Sequence, residues 1–248
     1  MMFIKSKILY TKKLCIALWK TLLWQIVYYF NCFMETIKIN NLNAALDTTG
    51  KPPDIKNIAS YLLDGKVVIL PTATIYGISC KYDNKAAIKR IYDIKKRNAD
   101  IPFIILISSI DDLKIFTSKI NKTAENMINR FWNINNPQSL TLVFDKKKSL
   151  NNFFTGGMDT VAVRMAELKF LRDIINICGP IISTSATISG EKTFPKKVSE
   201  IPAAIRKQVD LIVECTSSLP GGESTIISVE KDIPVLVREG KVKFKDVL

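Results

Sequence analysis

Two stretches of this chain carry side chains suited to holding anions. Lys95-Lys96-Arg97 ends a predicted helix, and Ser183-Thr184-Ser185-Ala186-Thr187-Ile188-Ser189-Gly190 follows a predicted buried strand. Arginine offers phosphate or carboxylate a planar fork, and lysine offers a point charge. Five hydroxyls in the seven residues 183–189, with backbone N–H groups between them, suit an anion nest. The stretch is not a Walker loop, because G-x-x-x-x-G-K-[ST] is absent from it. The plainer reading of Lys95 and Arg97 is a solvated helix end, where basic groups also suit the dipole.

Three further segments have the same double character. Pro71-Thr72-Ala73-Thr74-Ile75-Tyr76-Gly77 leaves an apolar run with two hydroxyls, which bind a polar ligand or satisfy their own turn. Val161-Ala162-Val163-Arg164 sets an arginine at a strand end, as a carboxylate clamp or as half of an ion pair. Gly221-Gly222-Glu223-Ser224-Thr225 is a loose phosphate loop or a turn. The chain has no histidine at all. That removes Ser-His-Asp triads, Cys-His pairs and histidine-ligated zinc from consideration.

The elements that must position these groups alternate between helix and strand. Apolar residues Ile55, Ile58, Ala59, Leu62 and Leu63 repeat at helical spacing after Asp54, and Gly65 stops the run. Strands are predicted at 67–70 and 76–80. Asn84 caps a second helix, with Ala87, Ile88, Ile91 and Tyr92 inward, which delivers Lys95 and Arg97. A strand over 102–107, helices over 110–118 and 121–132, and strands at 139–144 and 160–165 follow. A helix at 168–177 leads to a strand at 181–183. A helix at 198–207 precedes strands at 210–214, 224–229 and 233–238, the last two paired across 230–232. Apolar strands alternating with helices predict a mixed α/β sheet covered by helices. In such sheets ligands gather where strand ends meet loops, and the stretches 71–76, 95–97 and 183–190 all fall there.

Composition is that of a globular protein, 47% apolar and 24% charged, but the net charge is +13. Residues 1–34 hold Lys5, Lys7, Lys12, Lys13 and Lys20 and no acid; the remainder has 31 basic and 23 acidic residues. This balance favours anionic partners such as nucleotides or RNA, and also favours solubility. Five scattered cysteines without a C-x-x-C argue against a disulfide framework and for a reducing compartment, the cytoplasm. Residues 14–34 are strongly apolar and read as a membrane anchor, a targeting segment or sequence ahead of a start at Met34. Residues 1–50 are therefore taken as an N-terminal extension and linker, polar over 40–53, and 51–248 as the functional domain.

Taken in order, P-T-x-T-x-Y-G, I-K-x-R, V-A-V-R, S-T-S-A-x-x-S-G, S-T-I and L-V-R-E-G resemble the YrdC-like family over residues 54 to 240. The ordered set is specific, although no single member is. The best-known relatives are threonylcarbamoyl-AMP synthases. The resemblance implies an open, twisted mixed α/β sheet around a basic cavity, in the short, single-domain type. It implies a nucleotidyltransferase that joins L-threonine, bicarbonate and ATP, with Mg²⁺, into threonylcarbamoyl-adenylate and pyrophosphate. The product goes to the threonylcarbamoyl transferase machinery that modifies adenosine 37 of tRNAs reading ANN codons, so tRNA or double-stranded RNA is a further partner. Carried over by position, Thr74, Arg164, Ser185 and Ser224 contact threonine. Lys95, Arg97, Thr160, Ser183, Thr187 and Arg238 contact ATP, with Lys95 and Arg97 catalytic.

The reaction asks little general-base work of the protein, because a threonine carbamate already carries the charge with which to attack the α-phosphorus. Positioning and cationic stabilisation are the demand. The chain departs from the family pattern at several points. Thr187 stands where asparagine is usual, Ile101 precedes Pro102-Phe103, Ala166 replaces a proline, and Asn136-Pro137-Gln138-Ser139-Leu140-Thr141 replaces W-P-G-P-x-T. An inactive relative that binds RNA or nucleotides is the alternative these departures leave open.

Overall fold

The structure, a computed structural model, describes residues 35–41, 46–47, 54–191 and 193–247. The apolar segment 14–34 and most of the linker 40–53 lie outside the described residues. Among the described residues no helix is long and apolar enough to cross a membrane.

The helices start and stop where their chemistry says. Helix α1 (Ile55–Leu63) is capped by the Asp54 carboxylate, which accepts from the Asn57 amide at 3.0 Å. It ends before Gly65, whose φ of +73° suits a residue without Cβ. Helix α2 (Lys85–Lys95) is capped by Asn84, which accepts from the Ala87 amide at 2.9 Å. Lys96 closes α2 in the left-handed region at φ 50°, the only described non-glycine residue with positive φ. Helices α3 (Leu113–Phe116), α4 (Lys122–Phe131), α5 (Lys169–Cys178) and α6 (Ala203–Arg206) complete the α-helices of the described residues. The helix predicted over 198–207 is split. A 3₁₀ turn at Val198–Glu200 precedes Pro202, whose ring and missing N–H prevent continuation into α6.

Eleven strands are described: β1 (Glu35–Asn41), β2 (Leu46–Asp47), β3 (Val68–Pro71), β4 (Tyr76–Lys81), β5 (Ile104–Ile107), β6 (Leu140–Asp145), β7 (Thr160–Met165), β8 (Ile181–Ser185), β9 (Leu211–Cys215), β10 (Thr225–Ser228) and β11 (Val235–Arg238). They form one mixed sheet in the order β11-β10-β6-β7-β5-β8-β4-β3-β9-β1-β2. The β10–β11 pair is antiparallel, as predicted. Residues 35–41, assigned from sequence to the extension, are corrected by this topology. They form β1, which runs parallel to β9 with Ile37 opposite Val213 and Ile39 opposite Cys215. The physical reason is the alternation Thr36-Ile37-Lys38-Ile39, which buries Ile39 fully.

Strand registers sort the sheet into two faces. Ile69 pairs with Ile78, and Ile105, Val163, Leu142 and Ile227 run in register, all fully buried on one face; β8 joins the two runs through Thr184 and Ile182. The other face is shared. Over β3, β9 and β1 its residues Val68, Leu70, Leu211, Val213 and Ile39 join Ile58, Leu62, Phe170, Leu171 and Ile174 in one core cluster. Helices α1 and α5 pack together there. Over β8, β5, β7, β6 and β10 the same face is uncovered beyond Ile181 and Leu106, which still join that cluster, and Ser183, Ile104, Ala162, Val143 and Ser228 follow one another in register.

Candidate active site

That uncovered face is the floor of a cavity of about 530 Å³. Eight of the ten sequence-predicted site residues line it: Thr74, Arg97, Thr160, Arg164, Ser183, Ser185, Ser224 and Arg238. Lys95 and Thr187 are the other two. They are buried directly behind the wall that Ser185 forms, with Thr187 Oγ1 2.9 Å from Ser185 Oγ.

The 71–77 stretch gives its two hydroxyls different places, one in the turn and one on the cavity. Thr72 Oγ1 donates to the Ile75 carbonyl at 2.6 Å and accepts from the Thr74 and Ile75 amides at 3.2 Å, so it builds the turn. Thr74 is thereby turned to the cavity, its Oγ1 3.0 Å from that of Thr72. Gly77 lets β4 and β8 close, because a Cβ there would lie 2.4 Å from Ser183 Oγ. Ser183 in turn accepts from Ser79 Oγ at 3.1 Å.

The arginine at the end of β7 forms an ion pair and also lines the cavity. Arg164 donates to the Glu167 carboxylate from Nε at 3.0 Å and from Nη2 at 2.5 Å, and Nη2 also reaches Ser139 Oγ at 3.3 Å. Beside it, Ser224 Oγ accepts from Thr141 Oγ1 at 2.9 Å and from Arg238 Nη2 at 3.2 Å. Arg238 also donates to Glu223 at 2.5 Å and to the Ser224 carbonyl at 2.9 Å. Burial, with Arg164 nearby, lowers the Arg238 pKa from its ordinary value, against the pull of Glu223. The loop bearing Ser224 is fastened to the 72–75 turn by the Gly221 amide, which donates to the Thr74 carbonyl at 2.7 Å. Gly240 fits beneath it, since a Cβ there would sit 2.4 Å from the Glu223 carbonyl oxygen.

On the opposite wall, Arg97 lies over the Phe103 ring at 5.2 Å and donates to the Pro102 carbonyl at 2.9 Å. Burial lowers its pKa from the ordinary arginine value. Lys95 differs from its neighbour. It is 1% exposed and donates to the carbonyls of Ser185 and Thr187. Burial, and then the Arg97 charge, push its ammonium down to about 7.

Several cavity residues escaped the sequence reading. Ser228, Glu230 and Met158 have no motif around them, and Phe103 was read only as a strand residue beside Pro102. Glu223 lay inside the glycine-containing turn but was given no role. Glu223 answers Arg238, and Glu167, outside the lining, answers Arg164; neither pairing is marked by a motif. Among the described residues, no group of three or more acidic or cysteine side chains is placed to hold a metal ion alone. Glu223 and Glu230 are carboxylates lining the cavity. Oxygen donors of this kind fit Mg²⁺, which binds through one or two carboxylates together with substrate phosphates.

Fold and site together define an α/β protein whose sheet floors a pocket lined by arginines and hydroxyls. The Sua5/YciO/YrdC family, described as "Telomere recombination", matches residues 60–240, and the chain belongs to that family. A threonylcarbamoyl-AMP synthase of Pyrococcus abyssi is 34% identical over 194 residues, 78% of this chain and 56% of the relative. One of Bacillus subtilis is 35% identical over 192 residues, 77% of this chain and 54% of the relative. The chain thus spans about half the length of these two relatives. P. abyssi Sua5 complexed with L-threonine superposes with a TM-score of 0.75 at 32% identity, over 86% of this chain and 59% of that one. E. coli YciO superposes with a TM-score of 0.71 at 23% identity, over 87% of this chain and 99% of that one, a likeness of fold.

Proposed function

We propose that this protein is a threonylcarbamoyl-AMP synthase, a nucleotidyltransferase acting on L-threonine, bicarbonate and ATP. One observation carries the reading: Arg164, Ser185, Ser224 and Thr74 meet Arg97, Arg238, Thr160 and Ser183 around one cavity. The relatives named threonylcarbamoyl-AMP synthase and the P. abyssi Sua5 structure complexed with L-threonine support it.

In this reading threonine sits at the Arg164 end. The guanidinium takes the carboxylate, with its orientation set by Glu167 and Ser139. Thr74, Ser185 and Ser224 supply hydroxyls that orient the side chain and the amine. The neutral amine condenses with bicarbonate, forming a C–N bond and releasing water, to give a carbamate; a carbamate oxygen then bonds to the α-phosphorus as the bond to the β-phosphate oxygen breaks and pyrophosphate leaves. Arg97 and Arg238 face the triphosphate and stabilise the charge that builds on the equatorial and leaving oxygens. Thr160 and Ser183 donate hydroxyl hydrogen bonds to the nucleotide. Glu223 and Glu230 would be the residues to hold Mg²⁺, which would supply neutralisation of triphosphate charge. The product serves threonylcarbamoyl transfer to tRNA.

The test is purified protein with ATP, Mg²⁺, bicarbonate and labelled threonine, scored for the mixed anhydride and for pyrophosphate. Omitting any one component is expected to abolish both. RNA binding with a steep salt dependence and no ATP turnover would instead favour the inactive binding module.

A further inference from the structure

Lys95 and Arg97 are one residue apart yet do different things. Lys96 closes α2 in a left-handed turn, so Arg97 emerges on the cavity wall while Lys95 stays on the helix and points behind it. The Lys95 ammonium has three hydrogens to donate. The structure gives it three acceptors, all on one short turn: the Ser185 carbonyl, the Thr187 carbonyl at 2.6 Å and Ser185 Oγ at 3.4 Å. A fourth bond runs the other way, from the Ser189 amide to the Lys95 carbonyl at 2.9 Å. No carboxylate of the described residues forms a salt bridge with this buried cation. It is compensated by dipoles of the turn it holds. A charge buried in this way costs stability that an apolar side chain of the same length would not.

We propose that Lys95 is a positioning residue, which fixes the Ser185–Thr187 turn so that Ser185 meets threonine, and does not itself meet phosphate. The proposal rests on the threonine reading above for its ligand, but not for its geometry. With its donors engaged, the ammonium has no hydrogen left for a phosphate unless the turn is released. Ser185, whose carbonyl and hydroxyl are both gripped, is the member of the threonine set placed by Lys95.

Two measurements test this. In the first, Lys95→Met is titrated calorimetrically with L-threonine in the absence of nucleotide. Threonine affinity is expected to fall about tenfold or more, the scale of losing a charged hydrogen bond. A phosphate-binding lysine would leave this nucleotide-free titration unchanged, and affinity within about twofold of wild type would overturn the proposal. If wild type itself binds no threonine, the functional reading fails, and the geometry is decided by the second measurement. That measurement is lysine acylation of the full wild-type chain, read by peptide mass spectrometry without ligand and with a non-hydrolysable ATP analogue. Lys95 is expected to stay unmodified in both states while exposed Lys89 reacts. Lys95 reacting as fast as Lys89 without ligand, and protected only by the analogue, would make it a phosphate ligand and overturn the proposal. This readout needs no variant to fold.

Discussion

Arg164 donates twice to a single oxygen of Glu167, and both side chains are more than nine-tenths buried. The pair sits at the cavity end where the substrate carboxylate is assigned, so the clamp is itself clamped. Removing the acid would leave a guanidinium enclosed without a counter-charge. Glu167→Ala is expected to cost about 3–5 kcal/mol of folding stability, measured by urea denaturation. A loss below about 1 kcal/mol would mean that the pair behaves like a surface one.

Arg97 carries a different demand, because it is spread on Phe103 and pinned to the Pro102 carbonyl. Arg97→Ala is expected to lower threonine-dependent pyrophosphate release at least about a hundredfold. Arg97→Lys should recover little, because an ammonium neither stacks as a plane nor binds phosphate as a fork. Near-wild-type release by the alanine variant would remove Arg97 from the mechanism.

Gly240 does not line the site cavity, yet a methyl group there would meet the Glu223 carbonyl oxygen at 2.4 Å and the Ser224 carbonyl carbon at 2.6 Å. These are backbone atoms and cannot swing aside. Gly240→Ala is expected to cost about 1–3 kcal/mol through displacement of the 223–224 segment. It should also raise KM for threonine, since Ser224 moves with that segment. An unchanged melting temperature together with an unchanged KM would show that the segment yields freely.

Burial pushes the Cys178 thiol up to about 11 and the Cys80 thiol higher still. The thiolate is the reactive form, so raising the pKa empties it at pH 8. Alkylation of the native protein at pH 8 is expected to leave Cys80 and Cys178 untouched, with both labelled after denaturation. Peptide mapping reads the result, and native labelling of either would mean that its surroundings open to solvent.

Much of this architecture was legible in the chain because its signals are local. Asp54 and Asn84 act as caps through side chains three residues from the amides they bind, and the Glu230-Lys231-Asp232 turn joins paired strands. β1 was missed although Ile37 and Ile39 alternate properly, because four or five residues cannot announce a partner as distant as Leu211–Cys215. Pro202 was a visible breaker, and the apolar spacing around it outweighed it in the reading. Within the site, eight of ten residues were placed on one cavity by motif order. The orientation of Lys95 was not legible. It depends on a single left-handed residue, Lys96, a conformation that a lysine does not advertise. Glu167 was equally hidden, because its partnership with Arg164 is set by how the chain leaves β7 and enters α5.

The cavity floor and the oily underside of the sheet are carried by the same strands, residue by residue in turn. In β7, Arg164 faces the cavity and Val163 faces core. Parity alone separates the two roles. Losing one residue within β7 would therefore exchange them, driving a guanidinium into hydrocarbon and offering valine to a carboxylate. Point substitutions can tune this pocket gradually, but insertions and deletions must be confined to the loops.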